Sequence, residues 1–152
     1  MWQIGVWERE EGLADHIAAL CRGLALVRCG RHPAQLTGRR YDLLVVSPRA
    51  VGWAGAAALS CRAALLPGGL SALTRPLSTS LSVSYGMGSA NTLTLSSLDG
   101  ARAAVAIQRE FPTLDGCPVE RQELILPYRG PTPELFLARV GTGLLLGMER
   151  GE

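Results

Sequence analysis

Two glycine-bearing stretches in this sequence offer chemistry that needs no side chain. Pro67-Gly68-Gly69 and Tyr85-Gly86-Met87-Gly88-Ser89 each follow an apolar run. Glycine lets successive backbone N–H groups turn inward as an anion-binding concavity, although tight turns are its ordinary use. Asn91 adds an amide near the second stretch, and Ser89, Ser96 and Ser97 add hydroxyls. Arg49, directly after Ser47-Pro48, is the cation placed to clamp a phosphate or carboxylate through its two-pronged guanidinium; an exposed surface arginine is its ordinary reading. The candidate ligand-binding set is therefore Arg49, Gly68, Gly69, Gly86, Gly88, Ser89, Asn91, Ser96 and Ser97.

Other chemistries find less support. All 15 basic residues are arginine and there is no lysine, so a lysine-dependent phosphate loop cannot be written; G-x-G-x-x-G is also absent. His16 and His32 lack partners at metal-ligand spacing, and His16 falls on the helix face opposite an apolar stripe, which predicts exposure. Ser47, His16 and Asp42 compose a triad on paper, without the G-x-S-x-G elbow that would support it. The four cysteines are unevenly spaced, which speaks against structural zinc, and Cys21 and Cys29 read as buried reduced thiols. The sequence thus assigns no catalytic residue, no metal and no cofactor. An enzyme acting on a nucleotide-linked or amino-acid substrate is the alternative, with Arg49 as clamp and Glu8 as acid/base. It requires Glu8, Arg49 and Ser89 to meet in one pocket.

The elements that must position these residues read as an α/β protein: a three-layer, Rossmann-like doubly wound sheet, mostly parallel, with an antiparallel C-terminal extension. Short apolar runs alternate with helix-like stretches in the first half. Strands are predicted at 2–7, 24–29, 41–47, 62–66 and 81–85. A helix at 11–23 carries Leu13, Ile17, Leu20 and Leu24 on one stripe, and Gly23 ends it. A short helix is expected at 33–39, a longer one from the Ser47 cap to residue 59, and a helical turn at 70–75. From Asn91 the pattern alternates, Thr92, Thr94 and Ser96 against Leu93, Leu95 and Ser97, which predicts an exposed antiparallel strand. Strands at 105–109 and 119–126 follow, joined through Pro112 and the turn Asp115-Gly116, with cross-strand ion pairs expected among Arg109, Glu110, Glu120, Arg121 and Glu123. A closing helix spans 133–148, weakened by Gly141 and Gly143. At 152 residues one domain is expected, with parallel βα units over 1–90 and antiparallel strands plus the closing helix over 91–152.

The order Ser84-Tyr85-Gly86 and then Asn91-Thr92-Leu93-Thr94-Leu95-Ser96-Ser97 resembles the later part of the central domain of the Mur ligases, the ATP-dependent amino-acid ligases of peptidoglycan synthesis. The resemblance continues through 119–126, Gly130-Pro131 and the apolar stretch 135–147, about residues 81–148 in all. It implies a strand ending in a Tyr/Phe-Gly pair, a polar linker, antiparallel strands and a closing helix. The family's lysine-bearing ATP loop, its magnesium-binding acidic and histidine pair and its amino-acid-binding C-terminal domain have no counterpart here, so no catalytic residue carries over. The resemblance implies a degenerate relative that keeps architecture and a recognition surface.

The net charge of +2, with its densest basic group at Arg28, Arg31, Arg39 and Arg40, forms no stripe for nucleic acid. Neither a signal peptide nor an apolar run of membrane-spanning length is present. The expectation is a bacterial cytoplasmic, non-catalytic binding or regulatory module. Its partner is a small anionic molecule or a protein, recognised at the edge formed by 67–69 and 86–97. A structural role through pairing of two chains is the remaining alternative.

Overall fold

The apolar runs do become strands, and the order in which they pair decides where a ligand crevice can form. The computed structural model describes residues 1–50, 59–69 and 77–148. Its elements are β1 (Trp2–Trp7), α1 (Leu13–Cys21), β2 (Ala25–Gly30), a 3-10 turn at Pro33–Leu36, β3 (Arg40–Val46), β4 (Leu59–Pro67), β5 (Leu77–Tyr85), β6 (Leu93–Asp99), β7 (Arg102–Ile107), β8 (Phe111–Pro112), β9 (Pro118–Val119), β10 (Gln122–Pro127) and α2 (Pro133–Leu145). Eight strands form one sheet in the order β10-β7-β6-β5-β4-β3-β1-β2, and β8 and β9 form a separate hairpin. Pairing is parallel from β2 through β6 and antiparallel for β6–β7 and β7–β10. This is the Rossmann-like α/β sheet with an antiparallel extension.

Continuous apolar runs are what two-sided burial requires, and β3 and β4 bury side chains on both faces. One core joins α1 and α2 to the sheet through Ile4, Ile17, Leu43, Leu65, Leu93 and Leu137. The opposite face buries Trp7, Leu36, Tyr41, Leu44, Val46 and Leu66. The helix that starts α2 is written locally: Thr132 accepts a hydrogen bond from the Leu135 N–H at 3.2 Å, and Pro133 takes the first helical position. Gly141, which weakens the helix by propensity, lets α2 settle onto the sheet. A β-carbon there would lie 2.9 Å from the Leu65 methyls and 3.0 Å from Leu93.

Several expectations need correction. The strand after Asn91 is neither exposed at its start nor wholly antiparallel. Thr92, Leu93 and Thr94 are buried, Leu93 pairs in parallel with Tyr85, and β7 lies antiparallel on the other side. The alternating pattern failed at this start, where the strand enters the sheet interior; from Ser96 to Asp99 the strand is exposed as expected. Helix α1 ends at Cys21, so Leu24 leaves the apolar stripe and stands exposed. His16 is half-buried, because α2 packs on α1 and brings Arg139 close; burial and that guanidinium hold its pKa below the ordinary imidazole value. Cys29 is exposed on an edge strand, whereas Cys21 is buried. Among the described residues the ion pairs are Arg31–Glu10 and Arg62–Asp42, so the charges at 109–123 do not pair across strands. Ser47-Pro48-Arg49 opens with a turn; the expected helix beyond it falls mainly on 51–58, and the turn at 70–75, both outside the described residues.

Candidate functional site

Chain order and spatial order disagree at one place. From β1 the chain steps outward to β2 and then returns to place β3 on β1's other side. In doubly wound sheets that reversal opens the ligand crevice at the carboxyl ends of the two inner strands, beside the N-terminus of the first helix. Here those ends are Trp7-Glu8 and Val46-Ser47.

The crevice is occupied by the protein's own groups. Glu8 is 5% exposed; its carboxylate accepts hydrogen bonds from the N–H of Gly12 at 3.2 Å and of Ala14 at 2.8 Å. These N–H groups belong to the start of α1, where Gly12 offers no side-chain cap. Glu8 therefore occupies the position an anion would take at this helix N-terminus. Beside it, the buried Ser47 hydroxyl donates to the Glu11 carboxylate. The Tyr85 hydroxyl donates to the Val46 carbonyl at 2.5 Å. Burial, and then the charges of Glu11 and Glu134, push the Tyr85 phenol well above its usual pKa.

The glycine stretches do come together. Pro48, Gly68, Gly69, Tyr85, Gly86, Met87, Gly88, Asn91 and Glu134 line a cleft of about 480 Å³ at the ends of β4 and β5. Its floor holds the Asn91 side chain, which donates to the Gly88 carbonyl at 2.9 Å. A β-carbon on Gly68 would lie 2.3 Å from the Asn91 carboxamide oxygen, and one on Gly86 would lie 3.0 Å from its nitrogen. These two glycines are required by the approach of Asn91, and the concavity they make is filled from within.

The remaining predicted residues are placed elsewhere. Arg49 is exposed, next in the chain to Pro48 but outside the cleft lining. Ser89 offers its carbonyl to the Gln108 amide at 3.0 Å. Ser96 and Ser97 lie further along β6 at a β-bulge, where the Ser96 hydroxyl donates to the Ala104 carbonyl. Glu8, Arg49 and Ser89 do not share this cleft, and Glu8's oxygens are spent on backbone N–H groups, so the acid/base arrangement loses its geometry.

Sequence reasoning missed three residues. Glu134 enters the cleft from the first turn of α2, a position the Thr132-Pro133 start signal would have flagged. Gln108 pins the loop by donating to both the Ser89 and Asn91 carbonyls. Glu11 holds Ser47 across a separation of 36 residues, for which the sequence carries no local signal.

Comparison with known proteins bears on the architecture. No family model matches the chain, and no curated protein matches it. Among solved structures it is similar to MurF from Acinetobacter baumannii, with a TM-score of 0.50 and 9% identity over 95% of this chain. The fold is Mur-ligase-like. At that identity the likeness concerns the fold alone, and the chain spans 42% of the MurF chain. The Mur-ligase-like architecture thus extends over nearly the whole chain, beyond the distal part whose residues carry the resemblance. Among the described residues no helix is long and apolar enough to cross a membrane.

Proposed function

We propose that this chain is a non-catalytic binding or regulatory module, a degenerate Mur-ligase-like domain that recognises a protein partner rather than a nucleotide or other small anion. The supporting observation is the Glu8 carboxylate at the start of α1. A helix N-terminus attracts an anion by about 0.3–1 kcal/mol. A second unit negative charge about 4 Å from Glu8 would meet repulsion of about 4 kcal/mol at an effective dielectric of about 20. Repulsion wins, and phosphate has no seat there. At the second concavity the neutral Asn91 amide takes the space beside Gly68 and Gly86, and the Glu134 carboxylate lines the cleft that remains.

Thermal unfolding in the presence of Mg-ATP, inorganic phosphate and pyrophosphate tests this reading. The expected outcome is no shift with any of them. A ligand at a hundredfold excess over its Kd would stabilise the fold by about 2.7 kcal/mol, a rise of roughly 5 °C or more. Such a rise with Mg-ATP would overturn the proposal. A rise with pyrophosphate that Arg49→Ala removes would restore the small-anion reading.

A further inference from the structure

We propose that the outer edge of β2, the end strand of the described sheet, docks an acidic, extended segment of a protein partner, which joins the sheet as a ninth strand. The inference rests on the partner-binding reading above and assigns it a surface.

Among the described residues strand β2 closes one end of the sheet, with the single strand β1 as its neighbour. The carbonyls of Leu24 and Gly30 accept from the N–H groups of Trp2, at the start of β1, and of Glu8, just past its end. In a parallel ladder such groups alternate, so the backbone groups of Ala25, Val27 and Cys29 face away from β1. Natural edges are commonly blunted with lysine, proline or a bulge. Here the segment Ala-Leu-Val-Arg-Cys-Gly contains no proline, carries Arg28 as its one charged residue, and keeps its register with β1 over six pairs without a shift. The opposite edge, β10, ends in Pro127.

The side chains along β2 specify the occupant. Leu24 and Leu26 are 62% and 53% exposed, an apolar strip along the strand. Leu26 lines a groove of about 320 Å³ together with Gln3, Val27, Arg28, Arg39 and Tyr41. Arg28 and Arg39 thus line this groove together beside Tyr41. Arg31 is engaged with Glu10, whereas Arg28 and Arg39 pair with no carboxylate among the described residues. Two unneutralised guanidiniums and two exposed leucines beside open backbone groups fit a strand that alternates acidic and apolar residues. Twofold pairing of β2 with itself would bring the arginine sets of two copies together, which disfavours a second copy as occupant.

The test uses the full chain and two fluorescein-labelled octapeptides, one alternating Glu and Val, the other Lys and Val. Fluorescence anisotropy should report saturable binding of the Glu/Val peptide and none of the Lys/Val peptide. Hydrogen exchange should show new protection confined to residues 24–30. Arg28→Glu with Arg39→Glu, surface changes that leave both cores intact, should weaken binding at least tenfold. Val27→Pro removes an outward N–H without touching the β1 ladder and should weaken it similarly, with folding checked by circular dichroism. Absence of binding, protection at β10 instead, equal binding of both peptides, or self-association of the chain through this edge would each overturn the proposal. These results are independent of the nucleotide experiment: a docking failure without an ATP shift rejects this edge alone, whereas an ATP shift rejects the module reading.

Discussion

At position 8 a carboxylate serves as a cap supplied from outside its helix. Replacing Glu8 by alanine should cost about 2 kcal/mol in urea denaturation, because two N–H groups at the start of α1 lose their acceptor. Glu8→Gln, which keeps one acceptor oxygen, should fall between alanine and wild type; an unchanged midpoint for Glu8→Ala would reject this role. Tyr85 makes a prediction at the other end of the pH scale. Its folded pKa is raised, by burial first and then by Glu11 and Glu134. The stabilisation is therefore complete below the free-phenol value of about 10 and is withdrawn as pH rises beyond it. The alkaline loss of stability should be shallower in Tyr85→Phe than in wild type. Neither role was legible in the residues alone. Glu8 read as an acid/base candidate because an isolated carboxylate at a strand end does not disclose that the following loop returns two N–H groups to it. Gly68 and Gly86 read as a cradle, and only the fold shows Asn91 filling it.

The elements were more legible, because their signals are local. β1 was predicted at its observed bounds, and the Pro133 helix start and the Asp115-Gly116 turn also stand where the sequence placed them. What failed was anything set by a distant neighbour: Thr92 and Thr94 are buried where β6 enters the sheet, and His16 is half-buried on a helix that α2 packs against. His16 carries a consequence for stability. Its folded pKa lies below the imidazole value, by burial first and then by Arg139. Its contribution is thus present above the unfolded value of about 6.5 and is lost as pH falls through the folded one. Melting temperatures measured from pH 8 to pH 5 should decline, and His16→Gln should flatten that decline. Gly141 offers a second check. Alanine would gain about 1 kcal/mol in helix propensity. Its methyl would meet the Leu65 side chain at 2.9 Å, and overpacking typically costs about 1–3 kcal/mol. Gly141→Ala should therefore lower the melting temperature; a rise would show that Leu65 can yield.

For the whole molecule, the alternation of apolar runs with helical stretches sufficed to place the sheet in the Rossmann-like class. Strand order, and with it the position of the crevice, is a long-range property that no spacing encodes. That order also leaves the sheet with an uneven weave. β4 and β5 are joined by eight residue pairs, whereas β5 and β6 are joined by one, Tyr85 with Leu93. Helix α2 lies across the gap, touching β4, β5 and β6. The parallel half and the antiparallel half are thus two panels meeting at a seam, with α2 as the clasp. Under native-state hydrogen exchange the amides of β7 and β10 should open together, at lower free energy than those of β1, β3 and β4. Loosening the clasp with Leu137→Ala should widen that difference, so the molecule would part along the seam before either panel frays.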